Sequence, residues 1–218
     1  MRNHTMVSPL EKARKDPESV KAKILMAARR IFGVYGFHGT TTRMVAQELG
    51  VDVSTLHYHW GDKRDLYEAV VLDINQDLGK NLINVEKMIH GLPLQDRLAI
   101  AIDYMTDYLF AHPEISNLII FRYFGKTREE AGIDFKVPEF TYAMARSMGF
   151  VKDKKNVSSH ILLMVLAVMN AMHCFVSGED FFRPIVALSR KEYIAEAKKT
   201  LKFIHIPAFT QGFDQTGK

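Results

Sequence analysis

Residues 41–59 constrain this chain more than any other stretch, because they set two short amphipathic segments one tight turn apart. Thr41 stands as N-cap to a helix over Thr42–Leu49, with Val45, Ala46 and Leu49 turned inward. Gly50 stops that helix, and Gly50, Val51 and Asp52 leave room only for a turn before a second helix over Val53–His59. Helices shorter than about 12–15 residues are marginal in water, so the pair must pack on something else. Two short helices joined by a glycine-bearing turn are the outline of a helix-turn-helix.

The flanking sequence supplies the support. From Ser19 onward Val20, Ile24, Ala27, Ala28, Ile31, Phe32 and Tyr35 recur at steps of three and four, as on an amphipathic helix, and Gly36 offers a stop. Gly61 and Asp62 break the chain before a longer helix from Lys63, with Leu66, Tyr67, Val70, Val71, Ile74 and Leu78 on one face. Further helical segments are expected over Leu94–Ala111, Glu114–Tyr123, Pro138–Ser147, Val157–Val176 and Lys191–His205, separated by Gly91, Pro93, Pro113, Gly125, Gly149, Gly178 and Pro184. No alternating strand pattern competes with them. The expected fold is all-α: a three-helix head containing the helix-turn-helix over 19–66 and a larger helical body over 67–218. Residues 1–18 hold Pro9 and Pro17 without an apolar period and read as a flexible arm.

Composition decides which classes survive. With 47% hydrophobic and 25% charged residues, the chain can bury a core and is neither disordered nor membrane-embedded by composition. The single cysteine, Cys174, excludes an intrachain disulfide framework and points to a reducing, intracellular home; it reads as a small buried residue. Residues Met1–Ser19 carry charges where a leader needs an apolar stretch, so a cytoplasmic location is expected. The apolar run Ile161–Val176 is broken by Asn170 and His173 and reads as a helix buried in protein, with no membrane as partner. Residues 1–66 hold 11 Lys and Arg against 7 Asp and Glu, whereas 67–218 hold 18 of each. The excess positive charge therefore lies in the first third, which suits an anionic partner such as nucleic acid.

Residues 21–70 resemble the DNA-binding domain of the tetracycline-repressor (TetR) family. Ile24, Ala27, Ala28 and Phe32 fall on its first-helix core positions, and Thr41, Val45, Ala46, Leu49, Gly50 and Val51 follow its second helix and turn. Thr55, Leu56, Lys63 and Leu66 follow its third helix and exit. The resemblance implies that Arg43 contacts DNA, that Lys63 binds backbone phosphate, and that Trp60 plugs the gap below the recognition helix. His57 departs from the usual tyrosine and Ser54 from the usual glycine or proline.

A recognition helix must show the major groove side chains that reach base edges, while capping threonines and cations hold phosphates. Thr41, Thr42, Arg43, Val53, Ser54, Thr55, His57, Tyr58, His59 and Lys63 are the candidates for a double-stranded operator. Val53 suits a thymine methyl, Ser54 and Thr55 a base or phosphate, and Arg43 guanine or phosphate; solvated surface residues are the plain alternative for Arg43 and Lys63. His57 and His59 project about 200° apart on a helix and do not make a metal pair.

Of the body, the resemblance implies a cavity for a small-molecule effector and a homodimer in which Val157–Val176 and Lys191–His205 pack as a four-helix bundle with their copies. Candidate effector contacts are Met105, Tyr108, Phe121, Phe124, Met144, Met164, Met169, Met172, His173 and Phe175. Met and aromatic stripes at helical spacing are more often packed core, which is the commoner explanation for any one of these. Asn170 and His173 either orient a ligand or bond across the dimer.

The chain thus reads as a dimeric, sequence-specific transcriptional regulator, a repressor released by a small hydrophobic or amphipathic effector, with no cofactor, catalytic residue or metal. An enzyme is disfavoured because no nucleophile elbow, phosphate loop or HExxH stands in the sequence. The alternative is a helical protein-interaction module that keeps the head but no longer reads DNA.

Overall fold

The computed structural model describes residues 8–124, 135–150 and 158–211. They form eleven α-helices and no strand among the described residues: α1 (Pro9–Lys15), α2 (Val20–Gly39), α3 (Thr42–Leu49), α4 (Val53–Trp60), α5 (Lys63–Ile89), α6 (Leu94–Ala111), α7 (Pro113–Phe124), α8 (Val137–Ser147), α9 (Ser159–Ser177), α10 (Glu179–Ile185) and α11 (Arg190–Gln211). The all-helical expectation holds. The chain divides into two compact units. Of the described residues, the first holds 8–76, 117–124 and 135, and the second holds the remainder. This division falls inside the continuous helix α5, between Gln76 and Asp77, and not after residue 66.

In the first unit the apolar positions read from sequence meet as one core: Ile24, Ala27, Ala28 and Phe32 of α2, Val45 and Ala46 of α3, Leu56 of α4, and Leu66, Tyr67, Val70, Val71 and Ile74 of α5 are all buried. Edge-to-face contact between Phe32 and Tyr67, with ring centroids 5.0 Å apart, ties α2 to α5. Gly36 does not end α2. It adopts φ 67 and ψ 179, a conformation open essentially to glycine alone, and kinks a helix that runs on to Gly39.

The flexible arm expected over residues 1–18 is corrected where it is described. Pro9–Lys15 is helical, because proline at the first position costs no hydrogen bond and Ser8 and Glu11 close a reciprocal capping box. Leu10 and Ala13 are buried. Arg14 donates from Nε to Asp73 Oδ1 at 2.7 Å and from Nη2 to the Asp73 carbonyl at 2.8 Å. Arg29 Nη1 reaches the other carboxylate oxygen at 2.6 Å, so Asp73 clasps two helices to α5.

The second unit is built around α9, which packs on α6, α8 and α11. By length and composition α9 is able to cross a membrane, which corrects the reading that its apolar run is too short and too interrupted. Its residues are nevertheless divided by face: Ile161, Val165, Val168, Met172, His173 and Val176 are buried, and Leu163, Ala167, Asn170 and Cys174 are exposed at steps of three and four. Cys174 is thus exposed, because it continues the outer stripe. Val157 and Gly125 lie outside the described residues. Helix α10 was not expected, since Pro184 reads as a break; it falls in the last turn of α10 instead. Likewise α11 continues past His205 through Pro207. Lys198 on Asp107 at 2.8 Å and Lys202 on Asp103 at 2.9 Å pin α11 to α6.

Candidate nucleic-acid interface

Helix α3 begins where Thr41 Oγ1 accepts from the Met44 amide at 3.3 Å, which leaves the hydroxyl proton free for an outside acceptor. It ends at Gly50 with φ 64, whose amide returns to Ala46 and Gln47; Val51 N also reaches Ala46 O at 3.0 Å. This left-handed cap turns the chain at once into α4. There Asp52 Oδ1 accepts from Ser54 N at 2.7 Å, and hydrogen bonding from the Ser54 hydroxyl, then from its amide, holds the Asp52 carboxyl below the usual carboxylate range. The cap was missed from sequence, although an aspartate directly before an apolar-periodic run is a recognisable start signal.

Leu56 and Trp60 anchor α4 from below. Trp60 fills the position expected of a core plug, and its Nε1 donates to the Lys21 carbonyl at 3.0 Å. On the outer side Thr41, Arg43, Ser54, His57 and Tyr58 are exposed, and Thr42, Val53, Thr55 and His59 are half-buried. Tyr58 is 86% exposed, more than any other large apolar or aromatic side chain among the described residues. Its ring meets His59 edge-to-face, with centroids 5.2 Å apart.

Two candidates stand differently from the sequence reading. Lys63 was expected on phosphate, but its Nζ donates to the carbonyls of Phe37 and Thr40, both at 3.0 Å, and lies 4.5 Å from the Phe37 ring centroid. It closes the open end of the kinked α2, where helical carbonyls lack partners. His57 donates from Nδ1 to the Gly61 carbonyl at 2.7 Å. In the neutral ring Nε2 is then an acceptor, and only the imidazolium offers a second N–H to phosphate. Nearby, Asp62 caps α5 by accepting from Arg64 N at 2.7 Å and Asp65 N at 3.0 Å, and these backbone bonds hold its carboxyl low.

The effector candidates fall in both units. Phe121 and Phe124 belong to the first and are 47% and 69% exposed; a Cβ placed on Gly36 would stand 3.6 Å from the Phe121 ring. Phe121 thus lies against the α2 kink. In the second unit Met172 and His173 are buried, and Met105, Tyr108, Met144, Met164, Met169 and Phe175 are half-buried. Ser116 Oγ and His173 Nδ1 are hydrogen-bonded at 3.0 Å, and burial pushes the imidazole down to about 4, so it is neutral. Thr141 Oγ1 lies 3.8 Å from Met169 Sδ. No group of His, Cys, Asp and Glu among the described residues is arranged to hold a metal.

Residues 24–70 match the profile described as "Bacterial regulatory proteins, tetR family". The HTH-type transcriptional regulator UidR of Escherichia coli K12 is 27% identical over 95 residues, 44% of this chain and 47% of that one. The HTH-type transcriptional repressor SCO4008 of Streptomyces coelicolor is 29% identical over 107 residues, 49% of this chain and 51% of its own length. The matched stretch spans about half the length of these relatives. Among solved structures, a Clostridium perfringens protein superposes with TM-score 0.61 at 16% identity, covering 83% of this chain and 97% of that one. The PfmR protein of Thermus thermophilus gives 0.56 at 16% identity, covering 86% and 96%. At these identities the superpositions speak for the fold.

Proposed function

Since the chain belongs, through residues 24–70, to the tetR family of bacterial regulatory proteins, we propose that it is a dimeric transcriptional regulator that reads operator DNA with α4 and releases it when an effector occupies the second unit. The observation that carries the reading is the outer face of α3 and α4. Two short helices with a fully buried underside present Thr41, Arg43, Ser54 and a ring as exposed as Tyr58 on one continuous turn. An eight-residue recognition helix is about 12 Å long, which matches the width of the major groove.

In this reading Arg43 takes guanine or a phosphate, Val53 faces a thymine methyl, Ser54 and Thr55 hydrogen-bond bases or backbone, and Tyr58 and His59 flank them. The Thr41 hydroxyl proton, left over from capping, goes to a phosphate. Thr42 supports it from the first turn of α3. His57 adds a donor only when protonated. Lys63 acts indirectly, by fixing the end of α2 on which α3 follows.

Dimerisation rests on the outer stripe of α9. Leu163 is 64% exposed there and Phe203 of α11 is 80% exposed, apolar surface that a second copy would cover. A paired reader needs two such heads roughly 34–36 Å apart, or a multiple of that. An effector can shift the molecule away from that spacing only by its differential affinity for the two states. Met105, Met144, Met164, Met169 and Met172 with His173 suit a hydrophobic or amphipathic molecule with one neutral hydrogen-bonding group. Function in the cytoplasm follows from this reading.

Fluorescence anisotropy against a duplex from the region upstream of its own coding sequence and a scrambled duplex, each titrated in salt, tests the assignment. Salt-sensitive preference for the native duplex, lost in Arg43→Ala, supports it. Equal or absent binding to both duplexes at low salt sinks it in favour of a protein partner.

A further inference from the structure

Apart from Tyr193, the buried polar side chains of the second unit among the described residues are Thr106, Ser116, Thr141 and His173. None is charged at neutral pH, the His173 imidazole being kept neutral by burial. Two of them leave hydrogen-bonding atoms unused. A helical threonine commonly returns its hydroxyl to the carbonyl one turn back, as Thr141 does to Val137 at 2.7 Å and Thr210 to Ile206 at 2.9 Å. Thr106, fully buried within α6, does not, and its Oγ1 has no partner among the described residues. His173 meets Ser116 through Nδ1, and its Nε2 likewise has no partner among the described residues.

The Ser116 hydroxyl decides which nitrogen of His173 carries the proton. Ser116 is fully buried, and its Oγ has no second partner among the described residues. Were Nδ1 the donor, the Ser116 proton would be buried without an acceptor, which is costly. The hydroxyl therefore donates to Nδ1, and Nε2 holds the ring hydrogen. Nε2–H is thus a buried donor with nothing to donate to, and the Thr106 hydroxyl is a second.

Both donors belong to one layer of the second unit. Tyr193 marks a common level on two helices: its ring packs edge-on against Phe110 of α6, centroids 6.0 Å apart, and its hydroxyl donates to the Phe175 carbonyl of α9 at 2.9 Å. Further from that end α8 touches the same two helices, with Arg97 Nη1 donating to Ser147 O at 3.3 Å and Thr141 Oγ1 lying 3.8 Å from Met169 Sδ. Helices α6 and α9 therefore run side by side in the same direction. Thr106 stands one turn before Phe110 and His173 half a turn before Phe175, so their heights differ by about 3 Å. Asp107 and Asp103 of α6 are paired with Lys198 and Lys202 of α11. Met105, Met169 and Met172 adjoin the polar layer in sequence or contact, and methionine reshapes readily around a guest. We propose that the His173 Nε2–H and the Thr106 hydroxyl form the polar end of the effector site and select an uncharged molecule with an apolar body and a carbonyl oxygen. Such an oxygen has two lone pairs and no proton, so it takes both donors at once. A carboxylate or an ammonium would enter an interior without a buried counter-charge. The inference rests on the effector reading given above and names its chemistry.

The test measures binding to the full chain without DNA, by titration calorimetry with 2-decanone, decanoate and decylammonium, which share one chain length. The ketone should bind about tenfold more tightly than either ion. Thr106→Val and His173→Leu should each weaken it by about 2–10-fold, the worth of one hydrogen bond. Thr106→Val should also leave the thermal midpoint of the free protein unchanged or raised, because it removes an unused hydroxyl; a fall would show Oγ1 to be paired and overturn its role. The ring nitrogen shifts of isotope-labelled histidine, with His173 assigned by its absence from His173→Leu, should report Nε2–H and move when the ketone is added. An Nδ1–H ring overturns the proposal. Decanoate or decylammonium binding as tightly as the ketone overturns it in favour of a charged ligand, and binding of no probe overturns it and leaves the two donors to buried water. Operator preference is read separately on the native and scrambled duplexes. A chain that prefers the native duplex but takes no ketone keeps the DNA-reading assignment and loses this site; a chain that takes the ketone but ignores both duplexes keeps the site and loses the assignment.

Discussion

Lys63 shows how one side chain can change its meaning between sequence and structure. Read along the chain it is a cation at the start of a helix beside a DNA-reading element; in the fold its ammonium is shared by the Phe37 and Thr40 carbonyls. Lys63→Ala should therefore lower thermal stability, by about 1–3 kcal/mol for the two orphaned carbonyls, while leaving the salt slope of DNA binding close to that of the wild type. A phosphate ligand would show the reverse. His173 gives a second residue-level prediction. Its folded-state value of about 4 lies below the roughly 6.5 of an unfolded chain, so the unfolded state takes up a proton first as pH falls. The stability it contributes is full above about pH 6.5 and is lost toward pH 4, by about 3 kcal/mol. Denaturant midpoints from pH 7.5 to 4 should fall less steeply in His173→Gln than in the wild type; parallel curves would assign the acid sensitivity to other groups.

At the scale of elements, the kink in α2 is the most restrictive feature. Gly36→Ala should cost about 1–3 kcal/mol, because the φ of +67 with an extended ψ is strained for any side chain. The methyl itself meets Phe121 only at ordinary contact distance, 3.6 Å. A thermal midpoint within error of the wild type would mean that the kink is relaxed in solution. The helices read most accurately from sequence are those punctuated by their own residues: Thr41 and Gly50 bound α3 because capping is local chemistry. Prolines misled where they are tolerated. Pro9 suits a first helical turn, whereas Pro184 and Pro207 each forgo one backbone hydrogen bond late in helices that extend only a few residues further. The Asp73 clasp on Arg14 and Arg29 was illegible, since its partners lie 59 and 44 residues away and no local pattern announces them. Within the candidate interface, exposure of Tyr58 and Arg43 follows from helical spacing, whereas the bonds of His57 and Lys63 depend on tertiary approach.

For the whole molecule, the proposed function needs two copies. Light scattering should report twice 24.9 kDa, and Leu163→Glu, which places charge on the exposed stripe of α9, should shift the mass toward one copy and weaken operator binding at nanomolar protein. A monomeric wild type would remove the paired reader. The Asp73 clasp bears on where this polypeptide can safely be cut. A version trimmed to Ser19, the start suggested by a match beginning at residue 24, would strip the cover from the seats of Leu10 and Ala13 and leave Asp73 with Arg29 alone. Such a shortened chain would tend to self-associate and precipitate through the uncovered apolar seats, so an affinity tag belongs ahead of Met1 and not in place of the first helix.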